Sequence, residues 1–377
     1  MTTRPDAGAG AGVRRKRVPV HGVLLLDKAA GRSSNDVLVQ AKRLLNAEKA
    51  GHTGTLDPFA TGLLPLCFGE ATKFAQDLLE ADKRYEATVH LGMTTDTGDI
   101  EGNVIAASTP EQIAGITMAR IETVLAQFRG PILQTPPMYS ALKRDGKPLY
   151  EYARAGITLE REARALTIHR LELIDYQAPL LRIDVLCSKG TYVRVLGEDI
   201  GAALGCGAHL QALRRTGVGN LTLDGAVTLD ALALLDEPAR RASLAPVDAL
   251  LQSFPAVMLD DALANRFLHG QRLSLGKESV AVPIGLDQTV GSEPDSAPTR
   301  ESGANSLQDE SDIDSSGDTG IVRAARSADA PPRVRVYRSS DGRLLGTGRM
   351  QPFSVLAPER LVASQPGTVP FKRQAIE

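Results

Sequence analysis

The stretch AGHTGTLDPFATGLLPLCFGEATK, residues 50–73, decides how this chain is interpreted. It contains two prolines and four glycines, which are Gly51, Gly54, Gly62 and Gly69. Such spacing is typical of backbone that turns sharply rather than of a regular helix or strand. One carboxylate, Asp57, lies within these turns between Leu56 and Phe59, and Pro58 restricts the backbone directly after it.

Two interpretations of Asp57 follow from these surroundings. An aspartate before a proline commonly caps a turn, which is the structural interpretation. A carboxylate on a rigid, largely apolar loop also suits nucleophilic chemistry, because desolvation and a fixed approach raise its reactivity. The residues of the loop alone leave both interpretations open.

Three blocks of the stretch carry a family resemblance. Residues 51–58 (GHTGTLDP), 60–65 (ATGLLP) and 69–73 (GEATK) look like the catalytic loop of TruB-type tRNA pseudouridine synthases. Further blocks of that family follow downstream in the expected order. The resemblance covers residues 20–250 strongly and 256–365 loosely, and it implies that Asp57 is the catalytic carboxylate.

The resemblance also implies the architecture. We expect an α/β (α+β) catalytic domain over residues 20–250, built on a mixed, mostly antiparallel sheet with flanking helices. Residues 256–365 resemble a PUA-like RNA-binding domain, a small β-barrel. A Ser/Asp/Gly-rich acidic segment at about 287–330 interrupts it, and we expect this insertion to be disordered because it cannot bury enough apolar surface to fold. Residues 1–19 are expected to form a disordered basic tail.

Composition describes an ordinary globular protein. The chain has 377 residues, of which 42% are hydrophobic and 23% charged, enough for two domains. It has no apolar run of about eighteen residues and no apolar signal core, so we expect neither a membrane span nor secretion. The three cysteines are scattered without metal-ligand spacing, which favours reduced thiols in a cytoplasmic protein and no metal site.

The net charge of −2 averages over unlike parts of the chain. Residues 287–318 hold nine acids and one base, so the remainder carries 42 bases and 36 acids, a net charge of +6. A mildly basic body is compatible with an RNA partner, although it does not demonstrate one.

The first block after the tail predicts a strand and a helix. Residues 22–28 (GVLLLDK) form an apolar run typical of a buried strand. Ser33 and Asp36 then have the spacing of a capping box at a helix start. Lys28, at the end of the strand, is a candidate either for an ion pair with Asp27 or for a contact with RNA phosphate.

The segment after the Asp57 loop predicts a further helix and strand. Residues 71–79 have helical apolar spacing, and residues 83–91 (KRYEATVHL) alternate as a strand does. By its position alone, Tyr85 is a core aromatic. The family resemblance implies instead that Tyr85 packs against the target base, where its ring can stack and its hydroxyl can take part in proton transfer.

Residues 92–102 form a polar, turn-rich loop that also resembles the family. Its acids do not have the spacing of a calcium-binding loop, and we interpret the loop as structural. Residues 134–154 are the densest basic and aromatic stretch of the chain, with Lys143 and Arg154 among the basic residues. This mixture suits phosphate contacts and base stacking, but it equally describes an amphipathic helix with solvated lysines.

Two later blocks complete the resemblance. Residues 188–194 (SKGTYVR) include Tyr192 and Arg194, and the family arginine pairs with the catalytic aspartate. A guanidinium is always charged and can hold a carboxylate in the ionised form. Residues 207–215 (GAHLQALRR) place Leu213 in the uracil pocket, with Arg214 and Arg215 expected to face phosphate.

The implied reaction is the isomerisation of uridine-55 in the T-loop of tRNA to pseudouridine, catalysed by a monomer without cofactor or metal. Asp57, Tyr85 and Arg194 are the expected catalytic residues, and the sequence leaves open whether Asp57 attacks C1′, adds to C6 or takes a sugar proton. The resemblance implies that His52 occupies the stack vacated by the flipped base and that Lys73 lies near the site as a charge partner.

Two other classes of function are compatible with some of these residues. The first is a non-catalytic RNA-binding or tRNA-folding module, which would need no carboxylate facing an anionic ligand. The second is a hydrolase that uses an aspartyl nucleophile on a small molecule. The basic-aromatic segment and the RNA-type C-terminal residues disfavour the hydrolase, which would turn over free nucleoside.

Overall fold

The computed structural model describes residues 16–276 and 331–363. Most of the predicted tail (1–19) and all of the predicted insertion (about 287–330) lie outside these residues. The chain divides into two compact units, Met1–Ser253 and Phe254–Glu377. Within the described ranges, no helix is both long and apolar enough to cross a membrane.

The first unit alternates strands and short helices. Its strands, in chain order, are β1 Gly22–Lys28, β2 Ala50–His52, β3 Thr61–Phe68, β4 Lys83–Leu91, β5 Met93–Thr95, β6 Val104–Ala107, β7 Gly130–Gln134, β8 Lys143–Arg144, β9 Lys147–Pro148, β10 Arg164–Gln177, β11 Leu180–Cys187, β12 Ala208–Val218, β13 Leu221–Thr222 and β14 Val227–Thr228. Its α-helices are α1 Ser34–Leu44, α2 Ala75–Leu79, α3 Pro110–Ala114, α4 Met118–Gln127, α5 Leu149–Arg154, α6 Val193–Leu204, α7 Leu229–Leu234 and α8 Glu237–Ala242.

One sheet organises this unit. Its main path runs β14-β1-β3-β12-β4-β11-β10-β7, with β2 paired to β3 and β13 paired to β12. The pairs β1–β14 and β3–β12 are parallel, and the other pairs are antiparallel. The expectation of a mixed, mostly antiparallel sheet is therefore confirmed. Strands β3, β12 and β4 lie side by side in its middle, and the core is built on their buried side chains.

The predicted start of the fold is confirmed. Strand β1 covers the same residues as the apolar run, and its side chains are mostly buried. Helix α1 begins after Ser33, whose hydroxyl accepts a hydrogen bond from the Asp36 backbone N–H. Val37 and Ala41 are buried on the face that meets the core.

The continuous helix predicted over residues 71–79 is wrong. A 3₁₀ helix covers Gly69–Lys73, and α2 begins only at Ala75. Phe74 separates the two with φ −108° and ψ 1°, outside the helical region. Its side chain is fully buried, so tertiary packing of the aromatic ring overrides the local helical propensity and interrupts the helix at this position.

The second unit contains one five-stranded sheet among its described residues. The strands are β15 Ala256–Leu259, β16 Leu273–Ser274, β17 Arg333–Arg338, β18 Leu344–Gln351 and β19 Val355–Leu361, in the order β15-β17-β18-β19-β16. Helix α9 Asp261–Leu268 contributes Phe267 to a core that includes Val336 and Leu356. This sheet is consistent with the expected PUA-like domain, and the strand order that the sequence left open is now defined.

Candidate active site

The loop that carries Asp57 lies between β2 and β3 and is fixed from two sides. The Ser34 hydroxyl, at the start of α1, accepts from the Leu56 N–H at 2.8 Å and donates to the Leu56 carbonyl at 2.9 Å. The Lys28 ammonium donates to the Ala60 carbonyl at 2.6 Å and to the Pro58 carbonyl at 3.0 Å. The two residues hold the loop backbone on both sides of the carboxylate.

Ser34→Ala is expected to destabilise the protein and to slow the reaction. The change leaves the buried N–H and carbonyl of Leu56 without their side-chain partner, which costs on the order of 1–3 kcal/mol for each unsatisfied group. The turn before Asp57 then loses its anchor to α1. Thermal unfolding and single-turnover kinetics measure the two effects.

The matched control is Ser33→Ala, which removes a helix cap worth about 1 kcal/mol at the neighbouring residue, where the hydroxyl bonds to Asp36 of its own helix. Equal rates for the two variants would contradict this role of Ser34.

Asp57 forms an ion pair with Arg194. The Nε atom of Arg194 lies 3.0 Å from Oδ2 of Asp57, and the arginine side chain is 5% exposed while that of Asp57 is 35% exposed. Three further groups contact the Arg194 guanidinium. Its Nη1 donates to the Thr97 carbonyl at 2.9 Å and lies 3.4 Å from the Asp99 carboxylate, and its Nη2 donates to the Tyr139 carbonyl at 2.6 Å. The guanidinium is therefore fixed before any substrate arrives.

Opposing effects set the protonation of Asp57. Burial raises the pKa of its carboxyl above the usual range, and the nearby charge of Asp99 raises it further. The Arg194 guanidinium, through charge and a hydrogen bond, opposes this shift, and the Lys28 charge does so to a smaller extent. A partly desolvated carboxylate beside a fixed cation is a reactive group in a defined orientation.

Tyr85 and Leu213 lie on adjacent central strands. Tyr85 on β4 is 9% exposed, and Leu213 on β12 pairs with Ala87 two residues further along β4. Burial raises the pKa of the Tyr85 phenol, and the Arg215 cation opposes that shift. Leu213 also borders a cleft of about 630 Å³, together with Phe59 of the Asp57 loop. The structure thus places Leu213 beside the Asp57 loop at the cleft, and Tyr85 is buried on the neighbouring strand.

Three basic residues expected near phosphate are engaged with the protein instead. Lys28 is 1% exposed and donates to backbone carbonyls, so neither the pair with Asp27 nor the phosphate contact is formed. Arg215 is also 1% exposed, so it does not face phosphate in this structure. Arg214 makes a bidentate pair with Asp27, with distances of 3.1 and 2.7 Å, while still bordering the cleft.

The remaining predicted residues are spread around the loop. Lys73 pairs with Glu70 at 2.8 Å on the 3₁₀ helix. His52, on β2, has a buried Nδ1 without a hydrogen-bond partner in the structure, and burial together with the Arg215 charge lowers the pKa of its imidazole.

The basic-aromatic stretch forms a hairpin and a helix. Lys143 is exposed on β8, and the exposed Arg154 ends α5 with its guanidinium 5.3 Å from the centre of the Tyr150 ring. Tyr192 is half-buried before α6, where its backbone N–H donates to Gln134 Oε1 at 2.8 Å. This stretch joins the site through its backbone, because Tyr139 accepts a hydrogen bond from Arg194.

Sequence reasoning missed Asp99 and Ser34. The sequence favours a structural interpretation of the loop over residues 92–102, but its Asp99 is 4% exposed and lies 3.4 Å from the guanidinium that pairs with Asp57. A run of polar turn residues does not reveal which acid turns inward, so the pattern of the loop does not single out Asp99. Among the described residues, no group of three metal-ligating side chains is present.

Comparison with known proteins agrees with this geometry. Family models match residues 42–193 (TruB family pseudouridylate synthase, N-terminal domain), 194–252 (tRNA pseudouridylate synthase B C-terminal domain) and 321–362 (pseudouridine synthase II TruB, C-terminal). A curated protein of Burkholderia mallei (strain ATCC 23344), tRNA pseudouridine synthase B, is 55% identical over 93% of this chain and 97% of its own. The protein of the same name from Ralstonia pickettii (strain 12J) is 64% identical over 69% of this chain and 81% of its own.

Solved structures share the fold at lower identity. A crystal structure of a Cbf5-Nop10-Gar1 complex matches with a TM-score of 0.60 and 23% identity, covering 90% of this chain and 84% of that one. An H/ACA RNP bound to a substrate RNA containing 2′-deoxyuridine matches with a TM-score of 0.60 and 22% identity, covering 92% and 86%. The family models and the curated relatives show that the chain belongs to the TruB family of pseudouridylate synthases.

Proposed function

We propose that this chain isomerises uridine-55 in the T-loop of tRNA to pseudouridine, with Asp57 as the reacting carboxylate. Membership of the family makes the protein an isomerase. The observation that carries the role of Asp57 is its 3.0 Å ion pair with an arginine that is itself held by Asp99 and by two backbone carbonyls. A plain turn cap has no need of such a cation.

The reaction conserves every atom of the nucleotide except for exchange of protons with water. The C1′–N1 bond breaks, the uracil rotates, and a C1′–C5 bond forms. The proton on C5 then leaves to solvent, and N1 takes up a proton. Asp57 supplies negative charge next to the sugar as the glycosidic bond breaks, and the buried Arg194 keeps that carboxylate ionised and oriented. The isomerisation is redox-neutral, and we propose no cofactor for it.

The base reaches the carboxylate only after it leaves the T-loop stack. Extrusion costs roughly a few kcal/mol, which contacts to the flipped base and to the RNA backbone must offset. Tyr85 offers an aromatic face for the uracil, and Leu213 offers an apolar edge beside it. We propose that His52 fills the vacated stack, because its neutral imidazole, with a lowered pKa, enters a stack of bases without carrying a charge.

The exposed basic residues supply the contact with the RNA backbone. Lys143 and Arg154 lie on the hairpin and helix next to Tyr139, whose carbonyl holds Arg194. Lys73 and Arg214 are engaged with Glu70 and Asp27, so a phosphate would have to compete with those carboxylates. We propose that a monomer carries out the reaction in the cytoplasm, since one chain contains every group invoked here.

The test is tritium release from tRNA transcripts labelled with [5-³H]uridine. We expect release from a full tRNA transcript and from an isolated T-arm stem-loop, and none from free uridine. A transcript with cytidine at position 55 is the matched control and should release no tritium through this site. Hydrolysis leaves the C5–³H bond intact, so labelled free uracil formed from uridine without tritium release would support the hydrolase, and tight tRNA binding without release would support the RNA-folding module. Either result would overturn the proposal.

A further inference from the structure

Arg215 occupies the centre of the sheet, between the two strands that frame the site. In the register of the sheet it pairs with Tyr85 on β4 and with Gly62 on β3. The backbones approach closely at the second pair, where Gly62 has φ +98° and an added Cβ would overlap the Arg215 carbonyl oxygen. The side chain is 1% exposed, so it is sealed from the cleft.

The Arg215 guanidinium bonds to the segments on both sides of the Asp57 loop. Its Nε donates to the Leu63 carbonyl at 2.7 Å, just after the loop. Its Nη2 donates to the Gly54 carbonyl at 3.2 Å, three residues before Asp57. In the sheet register Arg215 lies directly opposite Tyr85 on β4, so the two side chains are cross-strand neighbours. One buried side chain therefore ties together both ends of the loop beside the tyrosine.

No carboxylate lies within ion-pair distance of Arg215 in the part of the chain that the structure describes. A buried cation without a carboxylate partner is expensive, so a purely structural link would be made more cheaply by a neutral side chain. The Arg215 charge also acts on nearby groups. It opposes the rise that burial causes in the pKa of the Tyr85 phenol, and it adds to the lowering that burial causes in the pKa values of His52 and Lys28. Of these three residues, Tyr85 is the one that pairs with Arg215 in the sheet.

We propose that Arg215 is a positioning residue of the isomerisation, which fixes the Asp57 loop next to Tyr85 and places a buried cation beside that residue. The inference rests on the proposed function, which supplies the reaction. It replaces the expectation that Arg215 faces phosphate. Under this proposal, Tyr85 can hold and release a proton during the reaction only while the Arg215 guanidinium is next to it.

The test is a double-mutant cycle with Arg215→Met and Tyr85→Phe, measured by single-turnover tritium release and by tRNA binding. We expect Arg215→Met to lower the rate about 100-fold, because a misplaced group near the reacting atoms costs about that much. The Kd for tRNA should stay within about tenfold. Arg215→Lys should recover part of the rate, since the charge remains. In the Tyr85→Phe background, Arg215→Met should add less than about threefold, because the phenol it acts on is gone.

Lys83→Met is the matched control. Lys83 is a second buried cation, on β4, and its ammonium donates to the carbonyls of Leu79 and Ala81 rather than to the site. It should lower the thermal stability while its effect on the rate, if any, stays the same with and without the Tyr85 hydroxyl. Should Arg215→Met fail to fold, Arg215→Lys completes the cycle.

The outcomes distinguish failure of the proposal about Arg215 from failure of the proposed function. If Arg215→Met costs the same factor in both backgrounds, its role is structural and the proposal is overturned. If the loss lies in tRNA affinity instead of rate, Arg215 acts on RNA binding, and the proposal is also overturned. If the unaltered protein releases no tritium, the proposed function itself fails before any variant is compared.

Discussion

Asp57→Asn is expected to abolish isomerisation and to leave tRNA affinity within about tenfold, or ~1.4 kcal/mol, of the unaltered protein. The amide keeps the shape of the side chain but cannot act as a nucleophile or a base. Arg194 keeps its contacts with Asp99, Thr97 and Tyr139 in the variant, so the loss of one carboxylate does not release the guanidinium. Single-turnover tritium release and filter binding measure the two quantities.

The matched control is Asp224→Asn. Asp224 is an exposed aspartate in the turn after β13, where it bonds only locally to Thr222. Its amide variant should react at the rate of the unaltered protein. If Asp57→Asn lost tRNA binding but kept its activity per bound complex, the assignment of Asp57 as the reacting group would have to be abandoned.

Arg194→Gln should lower the single-turnover rate by roughly 10²–10³-fold, the range found when one preorganised hydrogen-bond donor is removed from a catalytic site. The variant leaves Asp57 and Asp99 without the cation they share, and the two acids then repel each other. Arg194→Lys should recover only part of the rate. A lysine keeps the charge, but its compact head cannot reach Asp57, Asp99 and the two carbonyls at once, as the planar guanidinium does.

The effect of Arg194→Gln on the rate is expected to depend on pH. The reacting carboxylate must be ionised, and burial already raises its pKa, so the rate should begin to fall at a higher pH than an ordinary aspartate would give. Arg194 opposes that rise, so removing it raises the pKa further. The ratio of the unaltered rate to the Arg194→Gln rate should therefore be largest at low pH and narrow as the pH rises. A ratio that is constant with pH would contradict this account of Arg194.

The sequence predicted those parts of the site that are fixed by local pattern or by family likeness. The apolar run at β1, the Ser33 cap and the alternation in β4 are local, and the structure confirms each of them. The Asp57–Arg194 pair joins residues far apart in the chain, so no spacing rule could give it. The family resemblance implied that pair, and the 3.0 Å distance agrees with it.

Lys28 and Arg215 were expected to face phosphate but are buried, and the physical reason is the same for both. Lys28 and Arg215 are charged, and charged side chains are rarely fully buried, so the sequence favoured surface positions for both. In the fold their N–H groups donate to backbone carbonyls in and beside the Asp57 loop, which the irregular turns of the loop leave without strand or helix partners. A sequence does not show which turn carbonyls are left free, so inward-facing cations of this kind escape it.

The sequence predicts a disordered insertion at about 287–330, which lies outside the described residues. Lys143 and Arg154 are exposed, as a phosphate contact requires. Binding of tRNA by Lys143→Ala at several salt concentrations measures their contribution, because each lost phosphate contact lowers the salt dependence.

The most direct test of the central claim is to map pseudouridine in a full tRNA transcript after a single turnover with the unaltered protein and with Asp57→Asn. We predict one pseudouridine, at position 55, from the unaltered protein and none from Asp57→Asn under conditions in which both bind the transcript. Pseudouridine produced by Asp57→Asn, or modification by the unaltered protein at another uridine but not at 55, would contradict the account.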